Sequence, residues 1–142
     1  MHIVESTDFE NEGMNGWENF SNSGSIVGSD PRRYWQGNGS GQFPCGIVKF
    51  FDYGYLVAGD PYRITIDFTV TSNLGCFVLV ETEGVAGAQR TTFIGSNSWS
   101  THSFDFSPRV NSSNLRLQIT IINFNAGGDT SFSLDNIIII KL

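Results

Sequence analysis

One short segment of the chain combines aromatic, cationic and amide side chains. It runs from residue 30 to residue 38 and contains Arg32, Arg33, Tyr34, Trp35 and Gln36. Sugar rings present a face of C–H groups that packs on aromatic rings, and their hydroxyls need amides, carboxylates or guanidinium groups around the edge. We therefore take these five residues as the leading candidates for a ligand site. The alternative is that Tyr34 and Trp35 simply pack in the core or anchor a loop.

Further aromatic residues stand outside this segment. Phe51, Tyr53 and Tyr55 alternate onto one face if their stretch is extended, because side chains in a strand point alternately to opposite sides. Trp99 follows the glycine- and serine-containing stretch 95–98 and suits an exposed loop. Tyr53, Tyr55 and Trp99 are therefore ligand candidates too, with ordinary core packing as the alternative for each.

The residues needed for catalysis are sparse. The chain has two histidines: we expect His2 to lie in a disordered end, and His102 shares strand parity with Phe104 and Phe106, which favours packing. No catalytic triad, G-x-S-x-G elbow, P-loop or H-E-x-x-H pair is present. Glu81 and Glu83 share a face but are better explained as a solvated strand end than as a glycosidase pair. The sequence predicts that the protein is not an enzyme.

Charge and hydropathy exclude other functions. The net charge is −6, and the two lysines and six arginines form no basic stripe, so nucleic-acid binding is not expected. The apolar run 137–140 is far shorter than the roughly 20 residues that span a bilayer, so membrane insertion is not expected either. Residues 1–12 carry four carboxylates and neither Lys nor Arg, the reverse of a secretory signal. We expect an extracellular or virion-surface protein whose leader was removed or that leaves its cell by another route.

The composition predicts an all-β fold. There are 13 Ile, 9 Val and 10 Thr against 4 Ala and 7 Leu, and β-branched residues favour strands. Apolar and polar residues alternate strictly over 62–70 and 115–121, and shorter runs fit the same pattern. Seven to nine strands in 142 residues indicate one domain, 1–142, built as a two-sheet antiparallel β-sandwich of the jelly-roll type. The stretch Gly37 to Gly41 is predicted to be a long loop.

The two cysteines, Cys45 and Cys76, are too few for a disulfide framework and have no metal-binding spacing. Two half-buried thiols in strands and a single bridge between strands are both compatible with the sequence.

Four segments, in order, resemble a known class of protein. They are Asp8-Phe9-Glu10-Asn11-Glu12-Gly13-Met14-Asn15-Gly16-Trp17, Gly59 to Phe68, Trp99 to Phe106, and Phe132-Ser133-Leu134-Asp135-Asn136-Ile137. Together they are similar to the bookend strands and inner strands of β-jelly-roll carbohydrate-binding modules of the galactose-binding-domain-like class. The resemblance covers nearly the whole chain. It implies a non-catalytic module that binds a polysaccharide or surface glycan, with the first strand lying beside the last.

The resemblance also implies a structural calcium ion, since many modules of this class hold one between the first strand, a following loop and the last strand. Asp135 interrupts an apolar strand, and a carboxylate near a core needs a cation or hydrogen bonds. Calcium takes six to eight oxygen ligands, so we expect Glu10 and Asp135 to hold it, helped by Asp8 or Asp30. The alternative is that Asp135 caps backbone amides and Glu10 is solvated. Trp17 follows Gly13 and Gly16, and we expect its indole to close one end of the sandwich.

A rival function is structural. The sequence starts at a methionine, and we expect no attached enzyme; the run 137–140 would present apolar residues on both faces of a strand, as in an oligomer contact. The protein would then be a virion surface component, either a capsid decoration or a tail appendage. Its partners would be further copies of itself or other capsid and tail proteins.

Overall fold

The computed structural model describes residues 2–20, 24–39, 45–51, 55–70, 76–83, 89–94, 97–108, 115–123 and 130–142. These residues form eleven strands and no helix. The strands are β1 (His2–Thr7), β2 (Glu18–Phe20), β3 (Gly24–Ser29), β4 (Arg32–Gly39), β5 (Cys45–Phe51), β6 (Tyr62–Val70), β7 (Cys76–Glu83), β8 (Gln89–Ile94), β9 (Ser100–Phe106), β10 (Leu115–Asn123) and β11 (Thr130–Lys141). The all-β prediction is confirmed.

The strands form two antiparallel sheets. One has the order β3-β4-β11-β6-β9, and β1 pairs with β11 alongside this path. The other has the order β2-β5-β10-β7-β8. The predicted two-sheet antiparallel sandwich is therefore confirmed.

The core lies between the sheets and follows from strand alternation. In β6, Tyr62, Ile64, Ile66, Phe68 and Val70 are buried, while the residues between them are partly or fully exposed. The same cluster takes in Ile47 and Phe51 of β5, Leu117 and Ile119 of β10, and Leu134, Ile137 and Ile139 of β11. Because only one face of each strand is apolar, this pattern sets which face packs inward.

The beginning of the chain lies beside its end. β1 pairs antiparallel with the second half of β11, from His2 with Lys141 to Thr7 with Ile137. Trp17 is buried in the core cluster, which agrees with the expected packing role, while its closing of one end of the sandwich stays a prediction. His2 itself is the first residue of β1, so the prediction of a disordered end there is wrong.

The predicted loop over residues 37–41 is also wrong for its first three residues. Gly37 pairs with Phe132 and Gly39 with Thr130, so β4 continues through the glycines as far as Gly39. Gly37 is buried between its neighbouring strands. Glycine suits such a position because it has no side chain to accommodate where backbones approach closely. Residues 40 and 41 lie outside the described residues.

An ion pair connects the two sheets from the inside. Lys49 shares the inward face of β5 with Ile47 and Phe51, and its Nζ lies 2.9 Å from Oε1 of Glu5 on β1. The ammonium also donates to the Asn15 carbonyl oxygen at 2.8 Å. Thr7 donates to the same Glu5 oxygen at 2.7 Å. A carboxylate buried at this depth is thereby neutralised and hydrogen-bonded, as a buried charge must be.

Within the described part of the chain there is no helix long and apolar enough to cross a membrane.

Candidate functional site

Three side chains on the outer face of the six-stranded sheet form one aromatic and cationic cluster. The Tyr34 and Trp99 rings meet edge to face with centroids 5.3 Å apart. The Arg32 guanidinium lies over the Trp99 ring, with Cζ 3.9 Å from the ring centroid. Arg32 and Tyr34 belong to β4, whereas Trp99 immediately precedes β9, so the indole reaches across the strands between them. We call this cluster the Trp99 platform.

Asp135 of β11 anchors the platform from below. Its side chain is only 3% exposed, and Arg32 Nε donates to its Oδ2 at 3.0 Å. The backbone N–H of Asn136 donates to its Oδ1 at 2.9 Å. Burial raises the pKa of the Asp135 carboxyl above its usual value, the Asn136 and Arg32 contacts oppose that rise, and the charge of Glu10 adds to it. The compensation that the sequence required for this carboxylate is therefore supplied by Arg32 and a backbone amide.

A polar rim borders the platform on the β6 side. Asp67 accepts hydrogen bonds from Asn136 Nδ2 at 2.8 Å and from the Thr101 hydroxyl at 2.5 Å. Asn136 has a positive φ of 47° at the irregularity that separates the Asp135 and Ile138 pairings with β6. Asn tolerates this left-handed conformation better than most residues, because its short side chain bonds locally. The bulge thus turns an exposed amide toward the platform.

Charges farther along the same face are paired with one another. Arg63 on β6 and Asp105 on β9 form a two-pronged pair, with Nε–Oδ1 at 2.6 Å and Nη2–Oδ2 at 2.9 Å. This hydrogen-bonded pairing raises the pKa of Arg63 and lowers the pKa of Asp105. Both side chains are largely exposed, so the pair contributes little to stability.

The predicted segment 30–38 is divided by strand alternation. Arg32, Tyr34 and Gln36 point to the outer face, where Gln36 donates to the Ser133 hydroxyl at 3.3 Å. Trp35 points inward and is 0% exposed, so its assignment as a ligand contact is wrong. Its ring packs against Phe132 at 5.3 Å, because position 35 has the parity of the core residues.

Arg33 also turns away from the platform. Its Nη1 lies 2.7 Å from Oδ1 of Asp30, its Nε lies 3.3 Å from Oε1 of Glu12, and its backbone N–H donates to Glu10 at 2.7 Å. Arg33 therefore binds the loops at the sheet edge, and the structure does not bring it to Trp99.

The tyrosine candidates lie elsewhere. Tyr55 is 50% exposed in the segment after β5, next to β1, while Tyr53 lies outside the described residues. Phe51 ends β5 and is buried, so the predicted single exposed face of Phe51, Tyr53 and Tyr55 does not form with Phe51 in it. Cys45 and Cys76 lie in strands β5 and β7, as predicted, but their side chains, like those of Glu81 and Glu83, are outside the description.

The predicted calcium ligands are partly brought together. Glu10 lies near enough to Asp135 for its charge to affect that carboxyl. Asp8 instead accepts the Glu10 N–H at 3.1 Å, and Asp30 is largely exposed and paired with Arg33. No group of three or more His, Cys, Asp or Glu side chains among the described residues is arranged to hold a metal. A calcium ion here would need Glu10, Asp135 and backbone carbonyl oxygens.

Sequence reasoning missed the rim. Asp67, Asn136 and Thr101 were not singled out, although the alternation of β6 already placed Asp67 on the polar face. The contact of the Trp99 loop with β4 depends on long-range topology, and no local pattern encodes it.

The two antiparallel sheets form a β-jelly-roll of the kind found in carbohydrate-binding modules. The CBM22-1 xylan-binding domain of Xyn10C from Paenibacillus barcinonensis matches with a TM-score of 0.73 at 14% identity, over 98% of this chain and 94% of that one. TmCBM61, solved with β-1,4-galactotriose, matches with a TM-score of 0.67 at 14% identity, over 96% and 95%. The N-terminal cellulose-binding domain of β-1,4-glucanase C from Cellulomonas fimi matches with a TM-score of 0.68 at 15% identity, over 100% and 97%. No protein-family model and no curated protein matches the chain by sequence.

Proposed function

We propose that the protein is a non-catalytic, extracellular carbohydrate-binding module that holds a glycan on the outer face of its six-stranded sheet. The observation that carries the proposal is the Trp99 platform, a partly exposed indole fixed between Arg32 and Tyr34 beside a rim of amide and hydroxyl groups. The fold shared with xylan-, galactotriose- and cellulose-binding modules supports it.

The platform has the chemistry that a pyranose requires. Its aromatic surface can pack on the C–H face of the sugar, and Asn136, Thr101 and Gln36 stand at the edge to bond hydroxyls. Arg32 holds the indole in place before any ligand arrives, which lowers the conformational entropy lost on binding.

The charge of the face favours a neutral glycan. Arg32 already contacts Asp135 and Asp67, and Arg63 is paired with Asp105. Both guanidinium groups that the described residues place on this face are thus neutralised, and the chain carries a net charge of −6. A uronic acid polymer would meet repulsion and find no uncompensated guanidinium among them.

Affinity electrophoresis tests this function. Wild-type protein should be retarded in gels containing soluble xylan, β-1,4-galactan or hydroxyethylcellulose, and not in gels containing polygalacturonate. Trp99→Ala should reduce retardation at least about tenfold, and Arg63→Ala, on the same face but outside the platform, should leave it unchanged. Retardation of Trp99→Ala equal to wild type would remove the platform as the site, and no retardation by any neutral glycan would remove the function.

We also propose a structural calcium ion between Glu10 and Asp135. The buried Asp135 carboxylate and the charge of Glu10, which acts on that carboxyl, support it, because carboxylate oxygens are the ligands that calcium prefers. A thermal melt with and without a chelator tests the ion, since a ligand bound to the folded state raises the midpoint. An unchanged midpoint would exclude a structural role for calcium.

The virion alternative stays a prediction. Ile138 and Ile140 lie on the face opposite the buried Ile137 and Ile139 and keep part of their surface accessible, which is the feature an oligomer contact would use. Sedimentation velocity separates the two functions, because a trimer or larger ring favours the virion role and a monomer counts against it.

A further inference from the structure

A second open groove lies beside β1, away from the Trp99 platform. It encloses about 350 Å³ and is lined by His2, Ile3, Val4, Tyr55, Val57, Tyr62 and Lys141. A concave site of this volume is in the range of small-ligand pockets. Tyr55 forms one wall and is 50% exposed.

Tyr55 is held rigidly although it is exposed. Its hydroxyl donates to the Val4 carbonyl oxygen at 2.8 Å. Its ring stacks on Phe51 with centroids 5.7 Å apart and an interplanar angle of 28°. One face of the ring is therefore covered by the core and the hydroxyl is tied to β1, so the exposed surface is a fixed, flat apolar platform.

Besides the exposed imidazole of His2, two polar groups line the groove, and neither carries an unpaired charge. Lys141 Nζ lies 2.8 Å from Oδ2 of Asp60, which neutralises the cation. The Tyr62 hydroxyl on the floor accepts the Val57 N–H at 2.8 Å and keeps its own proton for donation. A flat aromatic wall with a neutral polar edge suits a sugar ring, as at the Trp99 platform.

We infer that this Tyr55 groove is a second saccharide site, which makes the protein bivalent for neutral glycans. The inference takes its ligand class from the proposed function. A protein partner is a poorer occupant, because stable protein interfaces bury on the order of 1,000 Å² or more and this surface is a small concavity. Asp135 beneath the platform and Lys141 at the groove are six residues apart on β11, which is about 20 Å along a strand. The two sites are thus separate and can hold one polysaccharide chain or two.

Nuclear magnetic resonance can follow the two sites independently. The probes are xylotriose, β-1,4-galactotriose and cellotriose, each titrated into the ¹⁵N-labelled protein. The Trp99 indole N–H reports on the platform and the Val57 backbone N–H reports on the groove. We expect one of the trisaccharides to shift both signals in the wild-type protein. Tyr55→Ala should abolish the Val57 response alone. Trp99→Ala removes the indole reporter and should leave the Val57 response intact.

Tyr55→Phe is the matched control, because it keeps the aromatic face and removes only the hydroxyl bond to Val4. It should retain the Val57 response. Retardation of Tyr55→Ala in the polysaccharide gel should fall at least about tenfold below wild type, since the second contact acts at a high effective concentration. A thermal melt checks that the variant is folded.

The outcomes distinguish this inference from the proposed function. An indole response without a Val57 response overturns the groove and leaves the platform standing. A Val57 response without an indole response overturns the platform and leaves the groove standing. A Val57 signal that shifts with protein concentration, together with a dimer in sedimentation that Tyr55→Ala dissociates, would assign the groove to a second copy of the chain and overturn the inference.

Discussion

The guanidinium of Arg32 lies 3.9 Å from the Trp99 ring centroid and at the same time donates through Nε to Asp135 at 3.0 Å. One planar cation thus neutralises a buried carboxylate and supports an aromatic ring on its flat side. Only arginine combines a forked donor set with a face that stacks on an indole. The Trp99 ring is therefore held in place by Arg32, which is itself bonded to Asp135 in the sheet.

Arg32→Ala should loosen the platform and destabilise the fold. Asp135 would keep only the Asn136 amide as a partner, which we expect to cost about 1–3 kcal/mol in the free energy of unfolding. Trp17 and Trp35 are buried, so acrylamide quenching of tryptophan fluorescence reports on Trp99 and should increase. Arg32→Lys should restore part of the stability and none of the shielding, because an ammonium does not cover the ring. Equal quenching in wild type and Arg32→Ala would contradict the stacking.

Removing one partner of the ion pair between Lys49 and Glu5 should lower the free energy of unfolding strongly. Lys49→Met keeps most of the volume but leaves the Glu5 carboxylate buried without its cation. We expect a loss of about 3–5 kcal/mol in urea denaturation. The double variant Lys49→Met with Glu5→Gln should recover a substantial part, because the uncompensated charge is gone. A double variant no more stable than the single one would show that the charge is not the cause.

Gly24 predicts a steric effect on the core. A Cβ built at Gly24 would lie 2.2 Å from Cζ2 of the Trp35 ring, closer than real atoms approach. The indole is fixed, since its Nε1 donates to Asn19 Oδ1 at 2.9 Å. Gly24→Ala should therefore lower the free energy of unfolding by about 1–3 kcal/mol. Gly13→Ala is the control, because its Cβ would meet only the exposed Asn11 side chain at 3.5 Å. Similar losses in both variants would refute the clash.

His102 predicts a mild pH dependence of stability. It stacks on Phe68 at 4.7 Å, and burial lowers the pKa of its imidazole below 6.5. The unfolded state then binds a proton more readily than the folded state, so the free energy of unfolding falls as the pH drops below about 6.5. His102→Phe keeps the stacked ring and removes the titration. The melting midpoint should fall less in this variant than in wild type between about pH 7.5 and about pH 5.5. Identical slopes would exclude His102 as the source.

Much of the fold could be predicted because strand alternation is a local property. The parity of residues 62–70 identified β6 and its buried face. The predicted pairing of the beginning of the chain with its end is confirmed, but the strand that pairs with β11 is residues 2–7, whereas the bookend segment 8–17 contains no strand. Strand β4 was missed because Gly37 and Gly39 are residues typical of loops, and only their pairing with β11 makes them a strand. Tertiary pairing overrides intrinsic propensity at such positions.

The candidate site was less predictable for a related reason. Composition gathered Arg32, Tyr34 and Trp99 as ligand candidates, and the structure places Arg32 and Tyr34 in contact with Trp99, while their ligand role stays a prediction. The same reasoning included Trp35 and Arg33, because a contiguous segment was treated as one surface. In a strand, adjacent residues face opposite ways, so a five-residue run supplies three side chains to one face and two to the other.

The pairing of His2 with Lys141 leaves the two ends of the fold only about 5 Å apart, the usual separation of opposed residues in an antiparallel ladder. A short glycine linker could therefore join them, and the backbone could be reopened at a surface turn to give a circular permutant with the same sheets. New termini chosen in this way would let the outer face of the six-stranded sheet be displayed in a different orientation relative to a fused carrier.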